Sequence, residues 1–299
     1  MIEIKNVHKS FGNIKAIDNI SLSFPDTTVF GLLGTNGAGK STMLRMLAGI
    51  LKPDEGEITL DGNQVWDNPA AKGNLFFISD DQYYFSNLTA EDAAAFYKVY
   101  YPNLDEKEFY EYLMKFGLDK KRKLRTFSKG MKKQLSIILG ISSGAKYLLC
   151  DETFDGLDPV MRQAVKSIFA KKIDEGNFTP IIASHNLREL EDICDHVGIL
   201  HKGGILLSKD LESLKLNLIK IQAVLPSELD KLIHNSLDIV KFERRGKLVT
   251  MIVRGNPEEI LRKVHSLEPL FCESLPLSLE EIFICETEVV GYDIKNLII

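Results

Sequence analysis

The sequence predicts an α/β domain followed by a smaller α+β domain. Three continuous apolar runs that end in polar residues are typical of strands buried on both faces of a sheet. These runs span residues 28–33, 147–150 and 180–183. Apolar and polar residues alternate in the first 60 positions, which predicts an additional antiparallel sheet. We therefore expect one domain over residues 1–211, with a helical part at about 88–145, and a second over 212–299.

Helix boundaries in the first domain follow from capping residues. Thr89 precedes two acidic residues and an alanine run, which is the pattern of a helix start. Asp158 followed by Pro159 indicates another start, because proline suits the first helical position. Gly176 marks the expected end of that second helix.

The second domain has the order β-α-β-β-α-β, which predicts a ferredoxin-like arrangement. Residues 219–225 alternate as a strand, and a short helix starts at Ser227. A hairpin turns at Arg245-Gly246, and Asn256-Pro257 opens the next helix. Residues 270–273 are the expected last strand. A capping box at residues 278–281 then opens a final helix.

The net charge and the spacing of the cysteines argue against several classes of function. With 37 basic and 42 acidic side chains among 299 residues, the net charge is −5. This charge gives no general attraction to a phosphate backbone, so we expect no nucleic-acid partner. The four cysteines are far apart, which disfavours a zinc site and suits a reducing cytoplasm. No apolar run reaches the ~20 residues of a membrane-spanning helix.

A glycine-rich segment follows the first buried strand and predicts a nucleotide site. It reads Gly34-Thr35-Asn36-Gly37-Ala38-Gly39-Lys40-Ser41 and leads through Thr42 into a helix. This matches the P-loop pattern, in which backbone N–H groups and a helix N-terminus surround phosphates. Lys40 would reach the β- and γ-phosphates, and the Ser41 hydroxyl would bind Mg²⁺. We therefore expect ATP and Mg²⁺ as ligands.

Polar residues at the ends of the other two apolar runs are candidates for the chemistry. Asp151 and Glu152 end the second run. Taken alone, paired acids there are more often solvated caps, but behind a P-loop Asp151 can hold Mg²⁺ and Glu152 can polarise water. His185 ends the third run. A lone histidine is usually a surface residue, whereas at this strand end it could contact the γ-phosphate and the attacking water.

These residues, in this order, resemble the ATP-binding subunit of ABC transporters over residues 1 to about 210. The further segment Phe127-Ser128-Lys129-Gly130-Met131 resembles the signature motif of that family, and residues 156–158 resemble its D-loop. The resemblance implies a mixed core sheet with flanking helices, an antiparallel β subdomain and a helical subdomain. It also implies that Glu152 is the catalytic base and His185 the switch histidine.

The same resemblance implies a head-to-tail dimer, with an identical or a different second ATPase subunit. Each ATP would lie between one P-loop and Ser128 and Gly130 of the other subunit, while Phe11 would stack on adenine. The glutamine that the family places in its Q-loop corresponds to Asp80 here, with Gln82 two residues later. Either Asp80 lies near Mg²⁺ or the loop is shifted to use Gln82, and Asp80 is slightly favoured.

The resemblance implies an ATPase that powers transport through separate integral membrane permease subunits. Such a subunit is cytoplasmic and attaches to the membrane through its permease. The order of the second domain and the last helix resembles exporters of drugs, bacteriocins and polysaccharides, which favours export. Two alternatives stay open: a soluble ATPase of the same family in a non-transport role, and a regulatory module with little hydrolysis. Too few residues separate Ser41 from Ser128 for the coiled coil of the DNA-repair members.

Overall fold

The chain folds as two units, Met1–Ser208 and Lys209–Ile299. The structure is a computed structural model that describes residues 1–82, 84–85, 87–211 and 218–288. Each unit has a hydrophobic core of its own. The predicted second domain, 212–299, includes residues 212–217 and 289–299, which lie outside the described residues.

The first unit contains two sheets and a set of helices. Its strands are β1 (Ile2–Phe11), β2 (Ile14–Phe24), β3 (Phe30–Leu33), β4 (Glu55–Leu60), β5 (Asn63–Gln64), β6 (Leu75–Ile78), β7 (Tyr147–Asp151), β8 (Thr179–Ser184), β9 (His196–His201) and β10 (Gly204–Asp210). Its helices are α1 (Lys40–Leu47), α2 (Pro69–Lys72), α3 (Ala90–Tyr100), α4 (Glu106–Lys115), α5 (Lys129–Ser142), α6 (Pro159–Asp174) and α7 (Leu187–Ile193).

The antiparallel sheet has the strand order β2-β1-β4-β5, as the alternation in the first 60 residues predicted. Ile2, Ile4 and Val7 of β1 are buried in the core of the unit, while intervening side chains of the strand are exposed. One face of this sheet therefore packs inward and the other faces solvent.

The second sheet has the order β10-β9-β3-β8-β7-β6. Pairing is parallel from β9 through β3, β8 and β7 to β6. A two-residue turn joins β9 to β10, which requires these two strands to run antiparallel, so the sheet is mixed as expected. The three predicted buried strands, β3, β7 and β8, are adjacent, and each is buried throughout. Their carboxyl ends therefore meet at one edge of the sheet.

Capping residues set the helix starts as predicted. Thr89 and Asp92 form a reciprocal capping box at the start of α3. The hydroxyl of Ser128 accepts a hydrogen bond from the backbone of Met131 at the start of α5. Asp158 caps α6, which begins with Pro159 and ends at Asp174, two residues before Gly176.

The second unit has the predicted ferredoxin-like topology. It consists of β11 (Leu218–Val224), a 3₁₀ turn (Ser227–Leu229), α8 (Asp230–Ser236), β12 (Asp238–Arg245), β13 (Leu248–Arg254), α9 (Pro257–His265), β14 (Cys272–Leu275) and α10 (Leu279–Glu288). The four strands form an antiparallel sheet in the order β12-β13-β11-β14. Ser278 and Glu281 form the expected capping box.

One boundary in this unit was wrong. The last strand was expected at residues 270–273 but spans Cys272–Leu275. Leu270 and Phe271 exchange backbone hydrogen bonds with Val224, yet their side chains are exposed. These two apolar residues therefore precede the regular part of the strand, which begins at Cys272.

Helices long and apolar enough to cross a membrane are absent from the part of the chain that the structure describes.

Candidate functional site

The glycine-rich segment forms a tight loop between β3 and α1. Gly37 and Gly39 have φ angles of 82° and 108°, which side-chain-bearing residues rarely adopt. A Cβ atom on Gly39 would lie 2.4 Å from the carbonyl oxygen of Ala16, and one on Gly34 would lie 2.7 Å from that of Leu200. The loop thus needs glycine for its backbone angles at Gly37 and Gly39 and for close packing at Gly34 and Gly39.

Thr35, Asn36 and Ala38 complete this loop. Asn36 and Gly37 are exposed, Thr35 is half-buried, and Ala38 is buried beneath the turn. The backbone N–H of Ala38 donates to the Thr35 carbonyl oxygen at 3.0 Å. At Gly37 the exposed part of the loop is bare main chain, which suits a phosphate-binding loop.

Lys40 lies at the start of α1 with only 5% of its surface exposed. Its Nζ donates to the carbonyl oxygens of Gly34 and Thr35 at 2.7 and 3.3 Å. The same ammonium lies 3.1 Å from Oε1 of Glu152. The loop therefore wraps around a cation that also faces the end of β7.

Ser41 and Asp151, the two residues expected to bind magnesium, meet at the base of the loop. The Ser41 hydroxyl donates to Oδ1 of Asp151 at 3.0 Å, although 110 residues separate them in the chain. Asp151 is 1% exposed. Thr42 follows Ser41 in the first turn of α1 and is half-buried.

The electrostatics around Asp151 suit a divalent cation. Burial raises the pKa of Asp151, the hydrogen bond from Ser41 and the charge of Arg45 lower it, and the charges of Glu152 and Asp80 raise it further. In the described part of the chain no cationic side chain lies within ion-pairing distance of Asp151. A buried carboxylate beside a hydroxyl and near other acids is a donor set that Mg²⁺ fits, because Mg²⁺ prefers oxygen ligands and neutralises their charge.

Glu152 and His185 lie side by side at the carboxyl ends of β7 and β8. Oε2 of Glu152 is 2.8 Å from Nδ1 of His185, so the Glu152 carboxylate bridges His185 and Lys40. Glu152 is largely buried, whereas His185 is 47% exposed. A carboxylate held in this way can accept a proton from a water molecule at the open side of the site.

The structure distinguishes the surroundings of Asp80 and Gln82. The Asp80 carboxylate is half-exposed and lies 3.6 Å from Nζ of Lys133. The amide oxygen and nitrogen of Gln82 are buried and have no hydrogen-bond partner among the described residues. Asp80 also contributes to the electrostatic field at Asp151. Of the two residues, Asp80 is therefore the one whose charge raises the pKa of Asp151.

Other predicted residues lie outside this cluster. Phe11, at the end of β1, is 48% exposed, and Nζ of Lys9 lies 5.6 Å from the centre of its ring. Ser128 is exposed and Gly130 half-buried at the start of α5. In the described chain no hydrogen bond or ion pair joins Ser128 or Gly130 to the glycine-rich loop.

Two buried charged residues near the site were missed at the sequence level. Lys133 lies on α5, and its ammonium donates a hydrogen bond to the backbone carbonyl oxygen of Glu152. Glu189 accepts hydrogen bonds from Ser184 and Asn186 and so braces the chain on both sides of His185. Two features of the sequence could have pointed to them. Lys133 interrupts the apolar pattern of α5, and Glu189 lies one helical turn after His185.

Comparisons with known proteins agree on one family. A family model described as "ABC transporter" matches residues 17–155. The chain is 29% identical to the ABC transporter ATP-binding protein YtrB of Bacillus subtilis over 96% of its own length and 98% of YtrB. It is 32% identical to the lantibiotic transport ATP-binding protein SrtF of Streptococcus pyogenes, over 71% of its own length and 92% of SrtF.

The fold is also found in solved structures. A dimeric structure of MJ0796, a bacterial ABC transporter cassette, superposes with a TM-score of 0.64. The match covers 71% of this chain and 99% of that cassette at 22% sequence identity. The fold of the first unit is therefore shared with known nucleotide-binding cassettes.

Proposed function

The chain belongs to the ABC transporter family of ATP-binding ATPases, and from this we propose that it powers export through separate membrane permease subunits. The export direction is supported by the relatives, among which SrtF is named for lantibiotic transport. Two separate hydrophobic cores and the match along nearly all of YtrB support an ATPase domain at 1–211 and an extension at 212–299.

One observation supports the nucleotide site above all others: Ser41 and Asp151 meet at 3.0 Å beneath the glycine-rich loop that encloses Lys40. In our proposal the loop from Gly34 to Gly39 binds the phosphates through its backbone N–H groups, and Lys40 neutralises the β- and γ-phosphates. Ser41 and Asp151 would hold Mg²⁺, which would supply charge neutralisation for the phosphates. In this proposal the Asp80 carboxylate, whose charge raises the pKa of Asp151, would assist in holding the ion.

Hydrolysis then depends on Glu152 and His185. We assign Glu152 as the general base that takes a proton from the attacking water, because its carboxylate follows a buried strand and lies between Lys40 and His185. His185 lies 2.8 Å from that carboxylate and orients it. Its exposed ring can also contact the γ-phosphate and the water.

The nucleotide also requires contacts that a single subunit does not provide. We propose that Phe11 stacks on adenine, since its ring is exposed at a strand end in the same unit. Ser128 and Gly130 would contact the ATP bound to a second subunit, because a helix N-terminus attracts phosphate. The dimer of the MJ0796 cassette supports this assembly. Activity per subunit should then fall on dilution below the dimerisation range, and a constant value would refute the dimer.

An exposed aromatic surface supports a permease partner. It is formed by Phe85, Phe96 and Tyr100, which pack against one another beside the loop that carries Asp80. Each of the three side chains is more than 40% exposed. Contiguous exposed apolar surface marks interaction sites. We propose that a permease segment binds here and senses the nucleotide site through the loop that follows β6.

The proposal is tested by comparing wild type, Lys40→Ala and Glu152→Gln. Wild type should bind and hydrolyse Mg-ATP. Lys40→Ala should lose binding, measured by calorimetry, whereas Glu152→Gln should keep binding but lose turnover. Unchanged turnover in Glu152→Gln would remove Glu152 from its role. A multi-span membrane protein should co-purify with the tagged chain, and Phe96→Glu should reduce this recovery more than Met114→Glu, an exposed site on α4.

A further inference from the structure

Lys133 is a buried cation for which the proposed reaction has no direct use. It lies on α5 and is 2% exposed, in a helix whose buried face is otherwise mostly apolar. Burying an ammonium group is unfavourable unless acceptors surround it. The groups that surround its ammonium therefore indicate why this lysine is buried.

Three acceptors from two other segments surround Nζ of Lys133. The ammonium donates to the backbone carbonyl oxygens of Glu152 and Asp155 at 2.6 and 2.9 Å. It also lies 3.6 Å from the carboxylate of Asp80. One side chain thus joins α5 to the turn after β7 through two hydrogen bonds and to the loop after β6 through an ion pair.

The turn after β7 has a local reason to need such support. Glu152 has a φ angle of 48°, in the left-handed region that non-glycine residues seldom adopt. Its N–H donates to the carbonyl oxygen of Ala183 at 3.0 Å, and its own carbonyl accepts from Lys133. Both polar groups of this strained residue are therefore held, and the direction of its carboxylate depends on that backbone.

We propose that Lys133 is a positioning residue that holds the backbone of Glu152 in its strained conformation and so aims the catalytic carboxylate. Through Asp80 the same ammonium links this turn to the loop that leads to the aromatic surface. The inference rests on the proposed function in one respect, because it takes Glu152 as the base. Among the described residues Lys133 makes no hydrogen bond or ion pair with the glycine-rich loop or with Asp151.

The first experiment separates positioning from binding. Lys133→Gln should lower kcat about 10- to 100-fold, since small misplacements of a reacting group have effects of this size. The KM for ATP and the affinity for Mg-ATP in calorimetry should change less than about twofold, because the phosphate contacts are untouched. Lys133→Arg, which keeps the charge and the donors, should restore most of kcat. Lys132→Met is the matched control and should retain wild-type kcat, as the Lys132 side chain makes no hydrogen bond or ion pair in the described chain.

The second experiment asks whether Lys133 acts through Glu152. Residual single-turnover hydrolysis is measured with labelled ATP in Glu152→Gln and in the double variant Lys133→Gln/Glu152→Gln. Once Glu152 has lost its carboxylate, Lys133 has no catalytic group left to position. Adding Lys133→Gln to Glu152→Gln should therefore lower the single-turnover rate less than twofold.

The outcomes are distinguishable. An equal loss from Lys133→Gln in both backgrounds would overturn the positioning role, as would an unchanged kcat or a parallel loss of Mg-ATP binding. If Lys133→Gln does not fold, Lys133→Met, which also lacks the ammonium donors, carries the same comparison, and an equal loss of single-turnover hydrolysis with and without the Glu152 carboxylate would also overturn it. Full turnover in Glu152→Gln alone would instead refute the proposed function.

Discussion

Substitutions of three loop glycines separate backbone strain from steric exclusion in the phosphate loop. At Gly37 the φ angle is 82° and a Cβ atom would have no other atom within 4 Å, so alanine adds strain alone. At Gly34 the Cβ atom would lie 2.7 Å from the carbonyl oxygen of Leu200, so alanine adds a steric conflict. At Gly39 the φ angle is 108° and the distance to the Ala16 oxygen is 2.4 Å, so both penalties apply.

The expected magnitudes follow from these two penalties. A left-handed backbone costs an alanine about 1–2 kcal/mol, and overpacking costs about 1–3 kcal/mol. Gly37→Ala should therefore lower the free energy of unfolding by about 1–2 kcal/mol, and Gly39→Ala by the sum, about 2–5 kcal/mol. Because 1 kcal/mol corresponds to about 2–4 °C in a unit of this size, Gly39→Ala should unfold roughly 2–12 °C below Gly37→Ala.

The assay is thermal unfolding of the three variants and wild type at one protein concentration without nucleotide. Gly39→Ala should have the lowest midpoint, with Gly34→Ala and Gly37→Ala between it and wild type. If Gly39→Ala were as stable as Gly37→Ala, contact with Ala16 would not be what shapes this loop, and the steric argument would be refuted.

Further predictions concern charge and stacking. Asp151→Asn should raise the thermal midpoint without ligand but abolish stabilisation by Mg-ATP: burial raises the pKa of Asp151, so its charge opposes folding at neutral pH. This advantage should shrink as pH falls and vanish below about pH 3, where the carboxylate is protonated in both the folded and the unfolded state; calorimetry at several pH values checks it. Burial would raise the pKa of Asp61, but hydrogen bonds, led by that from Lys146, lower it to about 2. Asp61→Asn should therefore be less stable than wild type above about pH 5, with the difference in urea unfolding vanishing toward pH 2. Phe11→Ala should raise the KM for ATP about 5- to 100-fold with kcat unchanged, as expected for a lost base stack; an unchanged KM would exclude adenine stacking.

Local rules predicted much of the fold. Capping residues such as Thr89, Ser128 and Asp158 begin helices in the structure because a side-chain oxygen satisfies free N–H groups within the same few residues. The ferredoxin-like order of the second unit followed from alternation and turn residues. The strand at Cys272–Leu275 was misplaced by two residues, because apolarity alone does not set the register of a short strand.

Contacts between distant segments were beyond the same rules. The choice between Asp80 and Gln82 stayed open in the sequence, since both lie on one irregular loop. The structure gives Asp80 an ion pair with Lys133 and leaves the amide of Gln82 buried. Lys133 was not singled out in the sequence. Only the packing of α5 against the turn after β7 shows that its ammonium is enclosed.

The sequence by itself determined that a strand, a glycine-rich loop and a helix surround Lys40, because backbone freedom and helix capping act over a few neighbouring residues. It also placed the acids and the histidine at strand ends. Tertiary structure decided that Ser41 meets Asp151 and that Lys133 holds the backbone of Glu152. Those contacts depend on the order of β3, β8 and β7 in the sheet and on which side chains become sealed from water. Whether a charged side chain is buried depends on how the whole unit packs, so it cannot be read from a short segment of the sequence.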